Sequence, residues 1–295
     1  MSAYTLLDWA AVNGNRKEDI GIIKPLVTNE LLLRMPFKVI EGFKYERSLL
    51  LEGGGVTTRK LNEEYAKTKN RYGKYEAETA LIGGAAELDI KLYQKGKLDL
   101  LADDMVEKIK NIGKTFTTFA INGDRDVNQE HFNGLIKHLI ASQVILAGDN
   151  PDGAVLSKKD VERLLALIEG GANTLIMNAK AKVVFKDILE KLITYYEISA
   201  LSKKLLVYGD AAILTVPESD ITCNEVCGSS TDTTSIYGLR IEENTGLFGI
   251  ADAASPTIGK LIEYTTKVEK AVEWNVGIAC PNAKVIGRLK GVKLG

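Results

Sequence analysis

Few residues in this chain could do chemistry, and they are scattered. Gly113-Lys114-Thr115 has the closing tripeptide of a phosphate-binding loop. Such a loop needs a second glycine upstream with four residues between, and that position holds Lys108. The tripeptide also falls inside a helical pattern, where backbone amides are already bonded to carbonyls and cannot wrap a phosphate. Gly53-Gly54-Gly55 lacks the spacing of a dinucleotide-binding turn and reads as a bend. His131 and His138 are the only histidines and flank a turn, whereas a metal site needs three or four converging ligands. Cys223 and Cys227 have no second pair and no nearby histidine. With Cys280 they make an odd count, which reads as reduced thiols in a large chain. A cysteine nucleophile would need a histidine partner, which neither histidine's context supplies. Ser229-Ser230 lacks the nucleophile elbow. The paired carboxylates Asp103-Asp104, Glu63-Glu64 and Glu242-Glu243 all lie in polar, solvated settings, so no carboxyl is expected to be tuned for acid–base work. No catalytic residue, metal or cofactor is expected.

Composition narrows the class further. The chain has 295 residues, 45% hydrophobic and 26% charged, enough for a large core and two domains. Its net charge of -1 lacks the basic surplus that tight nucleic-acid binding uses. Aromatic residues are not interleaved with a basic run, which argues against single-strand binding. The opening MSAYTLLDWA has no cationic stretch before an apolar run, so no secretory signal is expected. No stretch approaches the roughly 20 apolar residues of a membrane helix.

What positions everything else is a long amphipathic helix over residues 98–120. Leu98, Leu101, Met105, Ile109, Ile112, Phe116 and Phe119 recur at steps of three and four and predict one buried face. Acids lead and lysines follow along it, in the order that suits the helix dipole. At about 1.5 Å per residue it would span roughly 30 Å and serve as a spine. That face is expected to pack on strands returning near residues 272–278.

Before the spine lies an arm, residues 1–41. It has a turn at Asn13-Gly14-Asn15, and one or two helical turns at 29–35 capped by Asn29 and stopped by Pro36. The arm has no large core of its own and should find partners elsewhere on the fold or on another subunit. Residues 42–93 hold strand-like pieces at 43–51 and 74–82 around a very polar middle. Such a ribbon is marginal alone. A neighbouring subunit could support it, or it could be a mobile surface hairpin.

After the spine come the turns Asn122-Gly123-Asp124 and Asn133-Gly134, then an alternation of helix and strand over about 141–254. Ser157 should cap a helix closed by Gly170-Gly171. Residues 174–177 should form a strand, and Asn178 should cap a helix burying Val183, Val184, Ile188, Leu189, Leu192 and Ile193. Strands are expected at 205–208, 211–216, 237–241 and 246–250, with a small-residue loop at 223–233. In the tail, Val272, Trp274, Val276, Ile278 and Cys280 should share one strand face, with a turn at Pro281-Asn282 before a last segment, 283–294. The composition and order of these parts fit an α+β fold.

This order of parts, with four local stretches, resembles the major capsid protein of tailed double-stranded-DNA bacteriophages. That is the Hong Kong phage capsid fold, which encapsulins share. The stretches are INGDRDVNQEHFNGLI (121–136), NTLIMNAKAKVVFKDIL (173–189), LLVYGDAAILTVPESD (205–220) and EKAVEWNVGIACPNAKVIGRLKGV (269–292). The resemblance implies an N-terminal arm (1–41), an extended loop with flanking strands (42–93), a peripheral domain with the spine helix (94–140), an axial domain (141–258) and C-terminal strands returning to the peripheral domain (259–295). It implies a structural, non-enzymatic subunit that self-assembles through hexamers and pentamers into an icosahedral or prolate virion shell. Such a shell is assembled in the host cytoplasm and encloses double-stranded DNA held weakly and without sequence specificity. The implied partners are many copies of itself, a separate scaffolding protein, a portal and a decoration protein, with no membrane. The lysine–asparagine crosslinks of some relatives are not carried over to any pair here. On this reading the charged loop residues Arg47, Arg59, Lys60, Glu63, Glu64 and Arg71 are the expected inter-subunit contacts. The alternatives are an encapsulin-like compartment subunit and an unrecognised enzyme.

Overall fold

A computed structural model describes Thr5 and residues 25–26, 29–56, 58–65, 67, 69–198 and 203–294. Most of the predicted arm, including the turn at residues 13–15, lies outside the described residues. The first helix, α1 (Glu30–Arg34), begins where Asn29 caps it. The Asn29 side-chain oxygen accepts from the N–H groups of Leu31 and Leu32, two donors that the first helical turn leaves orphaned. Leu31, Leu32 and Leu33 are buried, so this part of the arm finds its partners on its own fold.

Strand β1 (Phe37–Val39) follows, and then the hairpin strands β2 (Lys44–Glu52) and β3 (Arg71–Glu78). These two pair only with each other, from Lys44↔Glu78 out to Glu52↔Arg71. The expected 74–82 strand is broken at Thr79, whose N–H and hydroxyl both donate to the Phe43 carbonyl. That double bond clamps the hairpin's neck and starts a separate strand, β4 (Ala80–Asp89).

A short helix, α2 (Ile90–Gln94), leads into the spine, α3 (Leu98–Asn122). The spine buries Leu101, Met105, Ile109, Ile112, Gly113, Phe116, Thr117, Ala120 and Ile121. Leu98 is half exposed and Phe119 only partly covered, so the predicted stripe is displaced at both ends. Opposite it lies a six-stranded sheet that includes β13 (Phe248–Ala251), β14 (Thr257–Ile258), β15 (Ile262–Glu263) and β16 (Lys267–Ala279). β4 runs antiparallel to β16 over its whole length, from Ala80↔Val276 to Asp89↔Lys267. Phe116 packs on Trp274 at 6.1 Å between ring centres, and both touch Phe37 of β1. The spine therefore packs on the returning strand as expected. It also packs on β4, which the sequence pattern did not reveal because Gly83-Gly84-Ala85-Ala86 carries almost no hydrophobic alternation.

After α4 (Leu135–His138) the chain builds a nine-stranded sheet. It contains β5 (Val144–Leu146), β6 (Ala154–Val155), β7 (Thr174–Asn178), β8 (Ile193–Ile198), β9 (Lys203–Tyr208), β10 (Ala211–Val216), β11 (Glu225–Cys227), β12 (Ser230–Leu239) and β17 (Ile286–Lys293). Helices α5 (Lys158–Leu167) and α6 (Ala179–Leu189) cover one face, capped by Ser157 and Asn178 as predicted. In β7, Leu175 and Met177 belong to the core with these helices, and Ile176 to the core with the spine. Burial on both faces accounts for its continuous apolar run.

Three expectations need correction. The buried row of α6 is Ala181, Phe185 and Leu189, while Val183, Ile188 and Leu192 are exposed. The side chain of Asn178 accepts from the Ala181 N–H at 2.7 Å and fixes which row meets the sheet. Residues 223–233 are not a loop: β11 and β12 form a hairpin there, turned by Gly228. The tail is divided between the sheets. β16 joins the spine sheet, but a turn after Cys280 sends β17 into the larger one, between β12 and β5. Conversely β13, at 248–251, lies in the spine sheet.

Candidate inter-subunit surface

The residues considered for chemistry are not brought together. Gly113 lies within the spine, where an added Cβ would stand 3.4 Å from Leu32 and 3.6 Å from Leu26. The absence of a side chain lets α1 lie close to the spine. His131 stacks on Phe119 at 4.1 Å. His138 is held below its ordinary pKa by burial. All three cysteines are buried and free. Burial pushes the Cys280 thiol up to about 12, and burial with the nearby Glu218 raises that of Cys223. Among the described residues no three His, Cys, Asp or Glu side chains are placed to hold a metal ion. An open cleft of about 490 Å³, lined by Leu33, Leu205, Val207 and Ala212, has Arg34 and Asp210 as its charged residues.

Two buried carboxylates were missed. Asp160 accepts from the Ser157 hydroxyl at 2.6 Å and from the Gly148 N–H, closing the cap of α5. Asp220 accepts from the Thr118 hydroxyl at 2.7 Å, while its carbonyl accepts from Asn122, so it ties the end of the spine to the loop after β10. Burial raises its pKa. The Ser-x-x-Asp spacing was available for Asp160; nothing local marks Asp220.

The hairpin is the part without a core of its own. Its base is tied down. Tyr45 meets Phe248 edge-on at 5.6 Å, and the Tyr75 hydroxyl accepts from the Cys280 N–H at 2.6 Å. Glu78 pairs with Lys44 at 2.8 Å and with Arg125. The Lys44 ammonium, despite some burial, holds the Glu78 carboxyl below its ordinary value. Arg47 belongs to this base: its guanidinium donates to the Asn244 carbonyl at 2.6 Å. Of the six expected contact residues, it alone bonds to a described residue outside the hairpin.

The other five are exposed at or near the tip. Arg71 lies 3.8 Å from Glu52 across the strands. Arg59 donates to the carbonyls of Lys60 and Glu63 and lies over the Tyr65 ring, while the Glu63 carboxylate accepts from the Lys60 N–H. Asn62 turns the chain with a positive φ of 67°. Glu64 points to solvent. Beside these charges the tip presents apolar side chains that charge-based reading passed over: Val56 is 101% exposed, Leu61 89% and Tyr65 61%.

No protein-family model and no curated protein matches the chain. Solved structures do. The holo-SrpI encapsulin complex from Synechococcus elongatus PCC 7942 is similar at a TM-score of 0.64 and 11% identity, covering 90% of this chain and 87% of that one. A structure of Microbacterium phage Oxtober96 matches at 0.62 and 8% identity, over 90% and 91%. The capsid of a native GTA particle matches at 0.59 and 11% identity, over 87% of each. At such identities the likeness is one of fold, and it spans nearly the whole chain: this is the Hong Kong phage capsid fold of phage capsids and encapsulins.

Proposed function

We propose that this chain is a shell subunit, a major capsid protein of a tailed phage, whose work is assembly rather than catalysis. One observation carries the reading beyond fold likeness. The hairpin is fixed to the body at its base, yet holds apolar residues out in solvent at its tip, as a subunit would for a neighbour. In closed symmetric assemblies each such contact is repeated in every copy, so weak contacts add up. On this proposal the spine with its six-stranded sheet is the peripheral unit and the nine-stranded sheet with α5 and α6 is the axial unit. Hexamers and pentamers of these subunits build the shell around double-stranded DNA, with scaffolding, portal and decoration supplied by other proteins. The near-neutral net charge suits a wall that must not trap the DNA.

Negative-stain imaging and sedimentation of the purified chain test this. Closed particles, or capsomer-sized rings that close with a scaffold, are expected; a monodisperse monomer or dimer at high concentration overturns it. The likeness to the Synechococcus encapsulin favours a second reading, a protein compartment. Nuclease-protected DNA in particles from the native source supports the phage reading, and an enclosed protein cargo supports the compartment.

A further inference from the structure

We infer that the outer edge of β4 pairs antiparallel with the β4 edge of a second copy of this chain, about a two-fold axis through Gly83, and so joins two six-stranded sheets into one. The inference does not rest on the shell reading.

β4 is an edge strand without the usual guard. Among the described residues it pairs with β16 and with no other strand. Antiparallel pairing on one side uses the N–H and C=O of alternate residues, so the residues between them direct theirs away from β16. A row of such groups is a template for another strand, and chains blunt it with charge, proline, a bulge or shortness. β4 has none of these from Ala80 to Ala86. The run ALIGGAA holds no charge and no proline. All ten residues of the strand pair with β16 one for one, with no bulge. Other outer strands are blunted: β1 and β5 have three residues each, β1 with Lys38 among them, and β8 has six with Glu197.

The two faces of β4 differ. Ile82 and Ala86 are buried, and an added Cβ on Gly84 would lie 3.5 Å from the Lys108 side chain of the spine. Leu81, on the opposite face, is 60% exposed. In an antiparallel pair, residues directly opposite each other share a face of the sheet. A two-fold axis must therefore pass through a residue, and the spines of the two copies then lie on the same face.

The occupant follows from how this edge fits itself. With the axis at Gly83, the centre of the uncharged run, each large side chain meets a small one. Leu81 stands opposite the second copy's Ala85, Ile82 opposite its Gly84, and Ala80 opposite its Ala86. Glu87 falls opposite Thr79, so no two charged residues face each other over 79–87. About six to eight backbone hydrogen bonds would form over the run, depending on which alternate residues face outward. One surface present on every copy supplies both halves of the contact.

Hydrogen exchange read amide by amide on the unaltered protein, free or assembled, is the first test. All N–H groups from Leu81 to Ala86 should exchange at least about a hundredfold more slowly than in the unfolded chain. Fast exchange at every second residue overturns the pairing. Crosslinking then identifies the occupant. Leu81→Cys with Ala85→Cys, keeping the far-ultraviolet circular dichroism of the wild type, should give on oxidation a covalent dimer and nothing larger, and neither single variant should give it. Slow exchange without the covalent dimer assigns the edge to another occupant and overturns the inference. A ladder beyond the dimer overturns the two-fold axis and the inference with it. Each of these failures leaves the shell reading intact, since that reading is judged on particle formation.

Discussion

The side-chain amide of Asn29 donates to the backbone carbonyl of Gly113 at 2.8 Å, across 84 residues of sequence. The same side chain caps α1 through its oxygen and donates also to the Thr117 hydroxyl. One asparagine thus ends one helix's unmet needs and fixes where that helix crosses the spine. Glu30, the next residue, accepts from the Thr215 N–H at 2.7 Å and links the same short helix to the second sheet.

The close crossing at Gly113 predicts a size threshold. Gly113→Ala should be within about 1 kcal/mol of wild type, since the gain in helix propensity offsets a tight contact. Gly113→Leu must displace Leu32 and Leu26 and should cost about 1–3 kcal/mol. Asn29→Ala should cost about 1–3 kcal/mol through the lost cap and the lost bonds to the spine. Urea unfolding of the unassembled subunit measures all three.

Asp220 predicts a pH effect of definite sign. Burial raises its pKa in the fold above the ordinary 3.8. The ionised form therefore costs stability above the folded pKa, and the cost is relieved as pH falls through that value. Asp220→Asn keeps an acceptor for Thr118 without the charge. It should be at least as stable as wild type at pH 8, with the difference holding until pH falls through the raised folded value and shrinking from there toward the ordinary 3.8. A difference that grows on acidification would contradict this account.

Glu78 has the opposite sign. Its bond to Lys44 lowers its pKa from 4.5, so its contribution is fully present above 4.5 and is lost as pH falls through the depressed value. The pair is partly exposed, so the effect should be local to the hairpin. Glu78→Gln should speed amide hydrogen exchange in β2 and β3 at pH 7 and leave the spine unchanged. The excess over wild type should fade on acidification below 4.5.

The thiols should be quiet. All three are buried, and Cys280 is held to about 12. An aromatic disulfide reagent at pH 8 should label the native subunit at under a tenth of the rate seen in denaturant, where all three react. A rapidly labelled cysteine in the native protein would refute the burial described here.

Wherever the cause was local, the sequence was legible. The spine's period and the caps at Asn29, Ser157 and Asn178 all follow from residues within one or two turns of each other. The polar hairpin could be seen because its middle has too little to bury. What stayed hidden depended on distant partners. β4 is a strand because β16 pairs with all ten of its residues, not because its glycines and alanines favour extension. The exposed row of α6 could not be told from the buried one, since Val183 and Ile188 are as apolar as Phe185 and Leu189; the angle set at Asn178 chose between them. Asp220 lies in an ordinary turn sequence, and only the approach of Thr118 and Asn122 gives it a role. At the tip, the sequence by itself determined the charges of Arg59, Lys60, Glu63, Glu64 and Arg71. Only the tertiary structure decided that Val56, Leu61 and Tyr65 stay exposed among the described residues, because burial is a relation between segments and no single segment contains it.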